Sequence, residues 1–290
     1  MFPKILGIDA YLVMAIVGFA AGFGLGWIRR KKYGYTPREL LLMFCVIVIG
    51  LIIGARTLFA ITEIPALINN KFSWEIIEKR VINAGFVFYG GLLGALLGIY
   101  ILARNTKQDV RKMLNFVVPT FTFFHAFGRI GCLLEGCCYG VESSWGITLA
   151  GETVKRLPVQ LFEAIGLLII TAILLLLESY NINRGKRFAL TPVYLALYAP
   201  MRFVLEIYRG DILRGVFNIN TNYMTTDGYM EWRFSLSTSQ VISLIILGVL
   251  AVYVWYSVKT KKKAQGTREI KEETTKDAIP DEDISEDIKE

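Results

Sequence analysis

Seven long stretches of this chain contain no Asp, Glu, Lys or Arg, and they constrain its fold more than any other feature. A bilayer core about 30 Å thick is crossed by about 20 mostly apolar helical residues. The shorter stretches reach that length when one flanking ionisable residue is included. Because the stretches are continuous rather than alternating, they predict helices and not barrel strands. We therefore predict an all-α integral membrane protein with about seven transmembrane helices, over 11–28, 40–55, 84–103, 113–128, 164–177, 188–201 and 234–258.

The composition excludes an ordinary soluble domain. Hydrophobic residues make up 54% of the chain, charged residues only 20%, and the mean hydropathy is +0.46. Basic clusters follow the first, third, fifth and seventh stretches, whereas the alternate loops mix their basic residues with acids. The positive-inside rule then places the N-terminus outside and the C-terminus in the cytoplasm, which requires an odd number of spans. The net charge of +7 is mostly this topological signal, so we infer no nucleic-acid partner from it.

The chain divides into one membrane domain and a tail. Residues 1–258 contain every apolar stretch and no interior linker or soluble insertion. Residues 259–290 lack apolar periodicity and end in acidic residues, which predicts a disordered, charged cytoplasmic extension. Small residues recur at every fourth position in two stretches and predict close helix packing, at Gly18, Gly22 and Gly26 and at Gly90, Gly94 and Gly98.

Four ionisable residues fall at the ends of predicted spans, where charge is expensive and by default marks function. They are Arg56, Arg129, Arg202 and Glu206. At about 1.5 Å per residue, the three arginines lie roughly 21–24 Å from the cytoplasmic ends of outward-running helices, near the outer boundary. The inward-running helices place polar residues at the same level, namely Tyr89, Gln160 and Gln240.

Two explanations of the arginines are open. Each arginine can extend to the outer headgroups, and Arg202 with Glu206 at i, i+4 can simply form an ion pair. Alternatively, three guanidinium groups with one carboxylate form an excess of positive charge that binds an anion. Guanidinium groups match phosphate oxygens in bidentate fashion. In the outer leaflet the abundant anion is a phospholipid headgroup, so we predict a headgroup site here.

His125 is the only histidine and precedes Arg129 by one helical turn, on the same face. It is either a packed helical residue or a general base beside the predicted phosphate site, since imidazole titrates in a suitable range. Cys132, Cys137 and Cys138 follow directly, while Cys45 stands alone in an apolar stretch. The cluster of three is compatible with a structural role or disulfide, a redox pair, or a metal site, although its spacing fits no familiar zinc or thioredoxin-like pattern.

Six short motifs, in order along the chain, resemble those of the bacterial prolipoprotein diacylglyceryl transferase family. The resemblance extends from Tyr11 to about Tyr256 and also includes seven spans of matching topology. Any one motif is weak, but the ordered set is fairly specific. The motifs are 54–56, 88–94, 128–131 with Gly136 and 139–140, 158–163, 202–206 with Arg209, and 237–240.

The resemblance implies a multi-pass enzyme of the bacterial cytoplasmic membrane. It would transfer the diacylglyceryl group of phosphatidylglycerol to the lipobox cysteine in the signal peptide of a prolipoprotein, using neither cofactor nor metal. Its partners would be these two substrates and the surrounding membrane lipids. By resemblance, Arg129 and Arg202 hold the headgroup and the leaving phosphate, and Glu206 orients Arg202. The resemblance, together with the polar residues predicted at the level of the outer boundary, gives a set of substrate-binding residues. They are Arg56, Tyr11, Gly90, Gly91, Gly128, Gly140, Gln160, Arg209 and Gln240.

The chain departs from the family pattern at two points. Tyr89 stands where the family commonly has a histidine proposed as the base, and Cys132 where it commonly has asparagine. We therefore hypothesise that His125 supplies the base and that Tyr89 is retained for hydrogen bonding. An alternative function is a membrane thiol–disulfide oxidoreductase using the three clustered cysteines. A transporter or lipid-binding protein is a third possibility, but the apolar inner halves of the helices argue against it.

Overall fold

The computed structural model of the protein describes residues 4–5, 7–69, 88–149, 153–183, 189–210, 223–224, 230–231 and 236–277. Seven long helices account for most of these residues. Short connections separate several of them, so neighbours along the chain run in opposite directions. The helices are α1 (Ala10–Tyr33), α2 (Pro37–Asn69), α3 (Phe88–Asn105), α4 (Val110–Glu135), α5 (Val159–Asn183), α6 (Leu190–Ile207) and α7 (Thr238–Asp277).

Six of the helices are long and apolar enough to cross a membrane. These are α1, the Pro37–Ile64 part of α2, α4, the Val159–Ile182 part of α5, α6, and the Thr238–Thr260 part of α7. Large apolar side chains face outward on them, as at Ile28 and Leu176, which are 72% and 71% exposed. The predicted all-helical membrane class is thereby confirmed. Helix α3 covers the third predicted stretch from Phe88 onward, and residues 84–87 lie outside the described ranges.

Glycines determine how the helices pair, as the recurrence of small residues at every fourth position predicted. Gly54 of α2 and Gly90 of α3 are so close that a methyl group on either would overlap the other's carbonyl oxygen. Gly94 has the same relation to Gly50 one turn further along, so the two backbones are in direct contact. On α1, Gly18 contacts Phe124 and Phe127 of α4. The pairs α2–α3 and α1–α4 are the most extensive helix contacts of the described structure.

Local sequence signals set the helix ends. The Thr36 hydroxyl accepts a hydrogen bond from the Glu39 amide, and the Glu39 carboxylate accepts one from the Thr36 amide, a capping box at the start of α2. The Asp109 side chain caps α4 by accepting a bond from the Arg111 amide. Gly136, at φ 81°, ends α4 in the left-handed conformation that glycine adopts without strain.

Two apolar clusters hold the helices together. One joins α2, α3 and α4 through Leu40, Met43, Leu102, Met113 and Phe116, with side chains of α1 packed against it. The other joins α4, α5 and α6 through Val118, Ile170, Leu174, Leu190 and Tyr194.

Three short antiparallel strand pairs lie outside the helices. They are β1 (Lys4–Ile5) with β2 (Ile8–Asp9), β3 (Glu142–Thr148) with β4 (Lys155–Arg156), and β5 (Tyr223–Met224) with β6 (Met230–Glu231). The β3–β4 pair forms the connection between α4 and α5, with a shift in register between Glu142 and Ile147.

The last helix differs from the sequence-based expectation. We predicted a disordered tail from Lys259, but α7 continues without interruption to Asp277. Lys, Ala, Gln and Glu, which favour helix, dominate this segment, so it extends the helix although it lacks an apolar face. Residues 278–290 lie outside the described ranges, and the domain boundary at Val258 stays a prediction.

A buried ion pair connects three helices on the side away from β3–β4. Arg29, counted from sequence as part of a flanking basic cluster, is 2% exposed and pairs with Glu178 of α5 at 2.5 Å. Its Nη1 donates to the Phe116 carbonyl oxygen at 2.8 Å and to Thr120 Oγ1 at 2.7 Å, both on α4. The topological interpretation of Arg29 was therefore incomplete, because local charge counting cannot show that a side chain turns inward.

Candidate active site

Glu163 of α5 lies at the centre of a charged cluster. Its Oε1 is 3.1 Å from Nη2 of Arg129 on α4, and its Oε2 is 3.4 Å from Nη1 of Arg202 on α6. The Tyr198 hydroxyl, also on α6, donates a hydrogen bond to Oε1 at 2.9 Å. The Glu163 side chain is only 1% exposed, so a single buried carboxylate connects three helices.

Arg202 has two further partners. Its Nη2 lies 2.5 Å from Oε2 of Glu206, one turn along α6, and donates to Ser239 Oγ of α7 at 3.3 Å. The predicted pairing of Arg202 with Glu206 is thus present. It forms one part of a larger network rather than an isolated i, i+4 pair.

Glu163 changes the charge balance that the sequence indicated. We counted one carboxylate, Glu206, against three arginines, but Arg129 and Arg202 are matched by two carboxylates. Glu163 is the last residue of the motif at 158–163, but it was not counted among the site charges because it immediately precedes the fifth charge-free stretch, while α5 begins earlier, at Val159. The available signal was its spacing from Gln160, which places both polar residues on one face of a membrane helix.

The two arginines of the cluster keep hydrogen-bonding capacity beyond their ion pairs. The Arg129 and Arg202 side chains are 16% and 11% exposed, whereas Glu163 is sealed. Nε of Arg129 is buried without a hydrogen-bond partner among the described residues. Nothing described lies within 4 Å of a methyl group added at Gly128, the residue before Arg129. An anion that accepts from the remaining N–H groups would complete the hydrogen bonding of these arginines.

His125 is buried beside this cluster, among aromatic rings. Its ring centroid lies 5.6 Å from that of Tyr198 and 5.8 Å from that of Phe121. Tyr198 therefore contacts His125 with its ring while its hydroxyl bonds to Glu163. The structure places His125 next to the cluster, as the helical spacing predicted.

Gly140 and Arg209 pair through their backbones just beyond the ends of α4 and α6. They form an isolated antiparallel bridge, with the Val141 amide donating to the Tyr208 carbonyl at 2.9 Å and the Gly210 amide to the Tyr139 carbonyl at 3.0 Å. A methyl group on Gly140 would overlap the Leu157 carbonyl oxygen and Val159. Gly140 thus allows the segments that follow α4 and α6 to approach the start of α5.

Three other predicted residues make identifiable contacts. Gln160 donates from Nε2 to the Cys137 carbonyl oxygen at 2.6 Å, which fixes the turn after α4. The Tyr11 amide donates to Glu135 Oε2 at 3.3 Å, and the Tyr11 ring lies against Gly131 of α4. Gln240 accepts a hydrogen bond from the Ser237 amide at 2.9 Å, and the Ser237 hydroxyl accepts one from the Gln240 amide, so the two residues form a capping box at the start of α7.

Arg56, Tyr89, Gly90 and Gly91 lie on the α2–α3 pair rather than on α4–α6. Arg56 and Tyr89 are both partly buried and within one turn of the Gly54–Gly90 contact, so they share one end of this pair. Methyl groups on Gly90 or Gly91 would press on Leu58 or Leu51, which gives both glycines a packing role.

The three clustered cysteines converge at the end of α4. Their sulfur atoms all lie within 4.8 Å of one another. None of the four cysteines, all within the described ranges, forms a disulfide, and Cys45 is exposed on α2. Hydrogen bonds with Cys132 and then Cys138, together with burial, raise the pKa of the Cys137 thiol. A raised pKa disfavours a standing thiolate nucleophile, which weakens the oxidoreductase hypothesis.

These features describe a multi-pass helical membrane protein with an arginine–glutamate network whose two arginines are partly exposed. A family model described as prolipoprotein diacylglyceryl transferase matches residues 2–256. The chain belongs to this family, and the predicted resemblance is confirmed.

Related proteins are similar over most of their length. The chain is 33% identical over 253 residues to the phosphatidylglycerol–prolipoprotein diacylglyceryl transferase of Clostridium tetani, covering 84% of this chain and 92% of that protein. It is 32% identical over 266 residues to transferase 2 of Clostridium perfringens, covering 89% and 94%. A transferase of the same name from Oleidesulfovibrio alaskensis is 30% identical over 268 residues, covering 89% and 92%. These names support a transferase and give no support to the thiol–disulfide oxidoreductase.

Proposed function

We propose that this enzyme transfers the diacylglyceryl group of phosphatidylglycerol to the lipobox cysteine thiol of prolipoproteins, forming a thioether and releasing glycerol phosphate. Family membership supports the reaction class. The observation that carries the proposal for this chain is the network of Arg129, Glu163, Arg202 and Glu206, in which two guanidinium groups stay partly exposed around one sealed carboxylate.

The network suits the departure of a phosphate. Negative charge develops on the phosphate oxygen as the glyceryl carbon–oxygen bond breaks, and fixed cations in a low-dielectric site stabilise that charge strongly. Arg129 and Arg202 bind the phosphate oxygens. Glu206 orients Arg202 from one side, and Glu163 holds both arginines in a fixed relation. The cost of reorganisation is small because these ion pairs exist before the substrate arrives.

The remaining predicted residues complete the site in this proposal. His125 is the residue that the sequence offers as base for the thiol proton, with Tyr89 as a hydrogen-bonding partner of the substrates. Arg56, Tyr11, Gly90, Gly91 and Gly128 surround the lipid. Gly140, Gln160, Arg209 and Gln240 act through the backbone junctions that they hold. Full transferase activity of a His125→Ala variant would exclude His125 as the base.

The proposal includes a topology. In this topology α3 also crosses the membrane, which brings the number of spans to seven. The N-terminus faces outward and the C-terminus lies in the cytoplasm of a bacterial cell. The network then lies near the outer boundary of the cytoplasmic membrane. The basic last turns of α1 (Arg30, Lys31 and Lys32) and α3 (Arg104) support this orientation. Fluorescent-protein and alkaline-phosphatase fusions at the C-terminus show whether this end lies in the cytoplasm or outside. An active phosphatase fusion would contradict the proposed cytoplasmic C-terminus.

A reconstituted transfer assay tests the function. Purified protein in phosphatidylglycerol vesicles receives a lipobox peptide, and labelled diacylglyceryl transfer is compared between wild type, Arg129→Ala, Arg202→Ala and Arg104→Ala. Arg104 is the matched control because it is an exposed helical arginine outside the network. Loss of a fixed transition-state donor costs about 100–1,000-fold in rate, so both network variants should fall by that amount.

Two outcomes would contradict the proposal. Absence of transfer by folded wild type, with phosphatidylglycerol and peptide both present, would exclude the reaction. Equal activity of Arg129→Ala and Arg104→Ala would show that the reaction does not depend on the arginine–glutamate network. Thermal unfolding of each variant in the same vesicles identifies variants that fail by misfolding.

A further inference from the structure

Three cysteine sulfurs meet at the outer end of α4, beside the arginine network. Cys132 is buried in the last turn of the helix, and Cys137 and Cys138 are half-buried just beyond it. All three sulfur atoms lie within 4.8 Å of one another. The Arg129 guanidinium is close enough to Cys132 and Cys138 to interact with both electrostatically. Neither the proposed headgroup binding nor the proposed base uses these thiols.

The backbone is shaped to bring them together. Gly136, in the left-handed conformation, reverses the chain, and the Cys137 amide returns to donate to the Cys132 carbonyl at 3.1 Å. Cys138 itself has φ 62°, a left-handed conformation that costs a residue with a side chain about 1–2 kcal/mol. Gln160 of α5 holds the turn through the Cys137 carbonyl oxygen. Backbone strain of this kind clusters at active sites and ligand-binding sites.

The spacing suits a cation better than a disulfide. A tetrahedral cation with metal–sulfur bonds of about 2.3 Å requires sulfurs about 3.8 Å apart. Sulfurs within 4.8 Å reach that separation with shifts of less than about 1 Å. A disulfide requires about 2.05 Å and would leave the third thiol unused. Thiolate ligands select soft d10 cations such as Zn²⁺ and Cu⁺, and a zinc site with three protein ligands leaves a fourth position open.

We propose that Cys132, Cys137 and Cys138 bind a thiophilic d10 cation, with Zn²⁺ as the cation to test first, and that its fourth position binds the prolipoprotein thiol. This inference rests on the proposed transferase function and gives the site a way to activate that thiol. Cys132 lies three residues after Arg129 on α4, so the cation and the phosphate-binding guanidinium share one helix face.

In the proposed transfer step, the substrate thiol binds the cation as a thiolate, since coordination deprotonates a thiol, and its proton passes to His125, the base of the proposed function. The sulfur attacks the glyceryl carbon and forms the carbon–sulfur bond. The carbon–oxygen bond breaks, and its electron pair leaves on the phosphate oxygen that Arg129 and Arg202 hold. The cation keeps its three cysteine ligands, and no oxidant or reductant takes part.

Cobalt binding tests the cation site without relying on activity. Full-length reduced protein in detergent is titrated with Co²⁺, which gives a near-ultraviolet thiolate band and visible bands when tetrahedral. Wild type and Cys45→Ser should bind one equivalent that Zn²⁺ displaces, and Cys132→Ser and Cys137→Ser should lose the thiolate band. Cys45 is the matched control because it lies on α2, away from the cluster. Equal cobalt spectra in all variants, or a disulfide within the cluster after purification without reductant, would overturn the proposal.

The substrate position has its own readout. Addition of a lipobox peptide should shift the visible cobalt bands, whereas the same peptide with serine in place of cysteine should not. Removal of metal from wild type should lower transfer at least tenfold, and Zn²⁺ should restore it. If cobalt binds but the cysteine peptide leaves its visible bands unchanged, the proposal that the substrate thiol binds the cation is overturned. A peptide-dependent shift without any transfer would support the cation site while contradicting the transferase function.

Discussion

The protein has two buried arginine–glutamate centres that differ in how completely they are closed. At the first centre, Arg29 and Glu178 are each 2% exposed, and the guanidinium also donates to the Phe116 carbonyl oxygen and to Thr120. At the second, Arg129 and Arg202 share Glu163 and are 16% and 11% exposed.

The difference separates a structural pair from a binding site. The Arg29 guanidinium uses all three of its nitrogens within the protein, so no donor is left for a ligand. The Arg129 Nε atom, by contrast, has no acceptor among the described residues. Both centres contain charges that are costly in a membrane protein. Only the second has donors and exposure left over for an anion.

The largest effect is expected when the carboxylate of the closed centre is removed. Glu178→Ala leaves the Arg29 charge buried without its partner, which should lower the free energy of unfolding by about 3–5 kcal/mol. Unfolding in mixed micelles with increasing dodecyl sulfate measures this change. A double Arg29→Leu, Glu178→Leu variant should recover much of the stability. A single-variant loss below about 1 kcal/mol would contradict the structural assignment.

The open centre should respond mainly in activity. Glu163→Gln keeps the shape and an acceptor for Tyr198 but loses the charge that holds Arg129 and Arg202. Hydrogen bonds to charged groups contribute about 1.5–3 kcal/mol, so kcat/KM should fall roughly 10–100-fold. The transfer assay measures this loss, and Glu142→Gln, on an exposed carboxylate, is the control. Wild-type activity of Glu163→Gln would show that the shared carboxylate does not position the arginines.

A smaller effect is expected when one neutral contact to Glu163 is removed. Tyr198→Phe keeps the ring that contacts His125 and deletes the hydroxyl that donates at 2.9 Å. The loss of about 0.5–1.5 kcal/mol should reduce kcat/KM roughly two- to tenfold. Tyr194→Phe is the control, because Tyr194 stacks on Tyr198 at 5.4 Å. A reduction as large as that of Glu163→Gln would mean that the hydroxyl, not the charge, organises the centre.

The smallest stability effect is expected at Gly128. A methyl group there meets nothing within 4 Å, so Gly128→Ala should change unfolding by less than about 0.5 kcal/mol. Activity should nevertheless fall, because the methyl group would occupy space proposed for the lipid beside Arg129. Thermal unfolding and the transfer assay measure the two effects on one preparation. Unchanged activity would remove Gly128 from the substrate-binding set.

Sequence reasoning identified much of the site because its residues lie at predictable depths along helices. Arg129 and Arg202 were placed at one level by counting along helices, and His125 and Glu206 were placed one helical turn from them. The structure brings these four residues together with Glu163. Glu163 was missed because it adjoins a charge-free stretch and was taken as a flank. Gln240 was predicted as one of the polar residues at the outer boundary. In the structure its side chain accepts a hydrogen bond from the Ser237 amide at the start of α7.

The membrane class, the long helices and their close glycine contacts could all be predicted from local sequence. These properties depend on the transfer free energy of each stretch and on spacing within one helix, both of which are local. Which charges form pairs could not be predicted in this way. Arg29 and Arg104 both end apolar stretches and look alike in sequence, yet Arg29 is buried against Glu178 and Arg104 is exposed. That choice depends on the rotation of each helix about its axis, which is set by packing against helices distant in the chain.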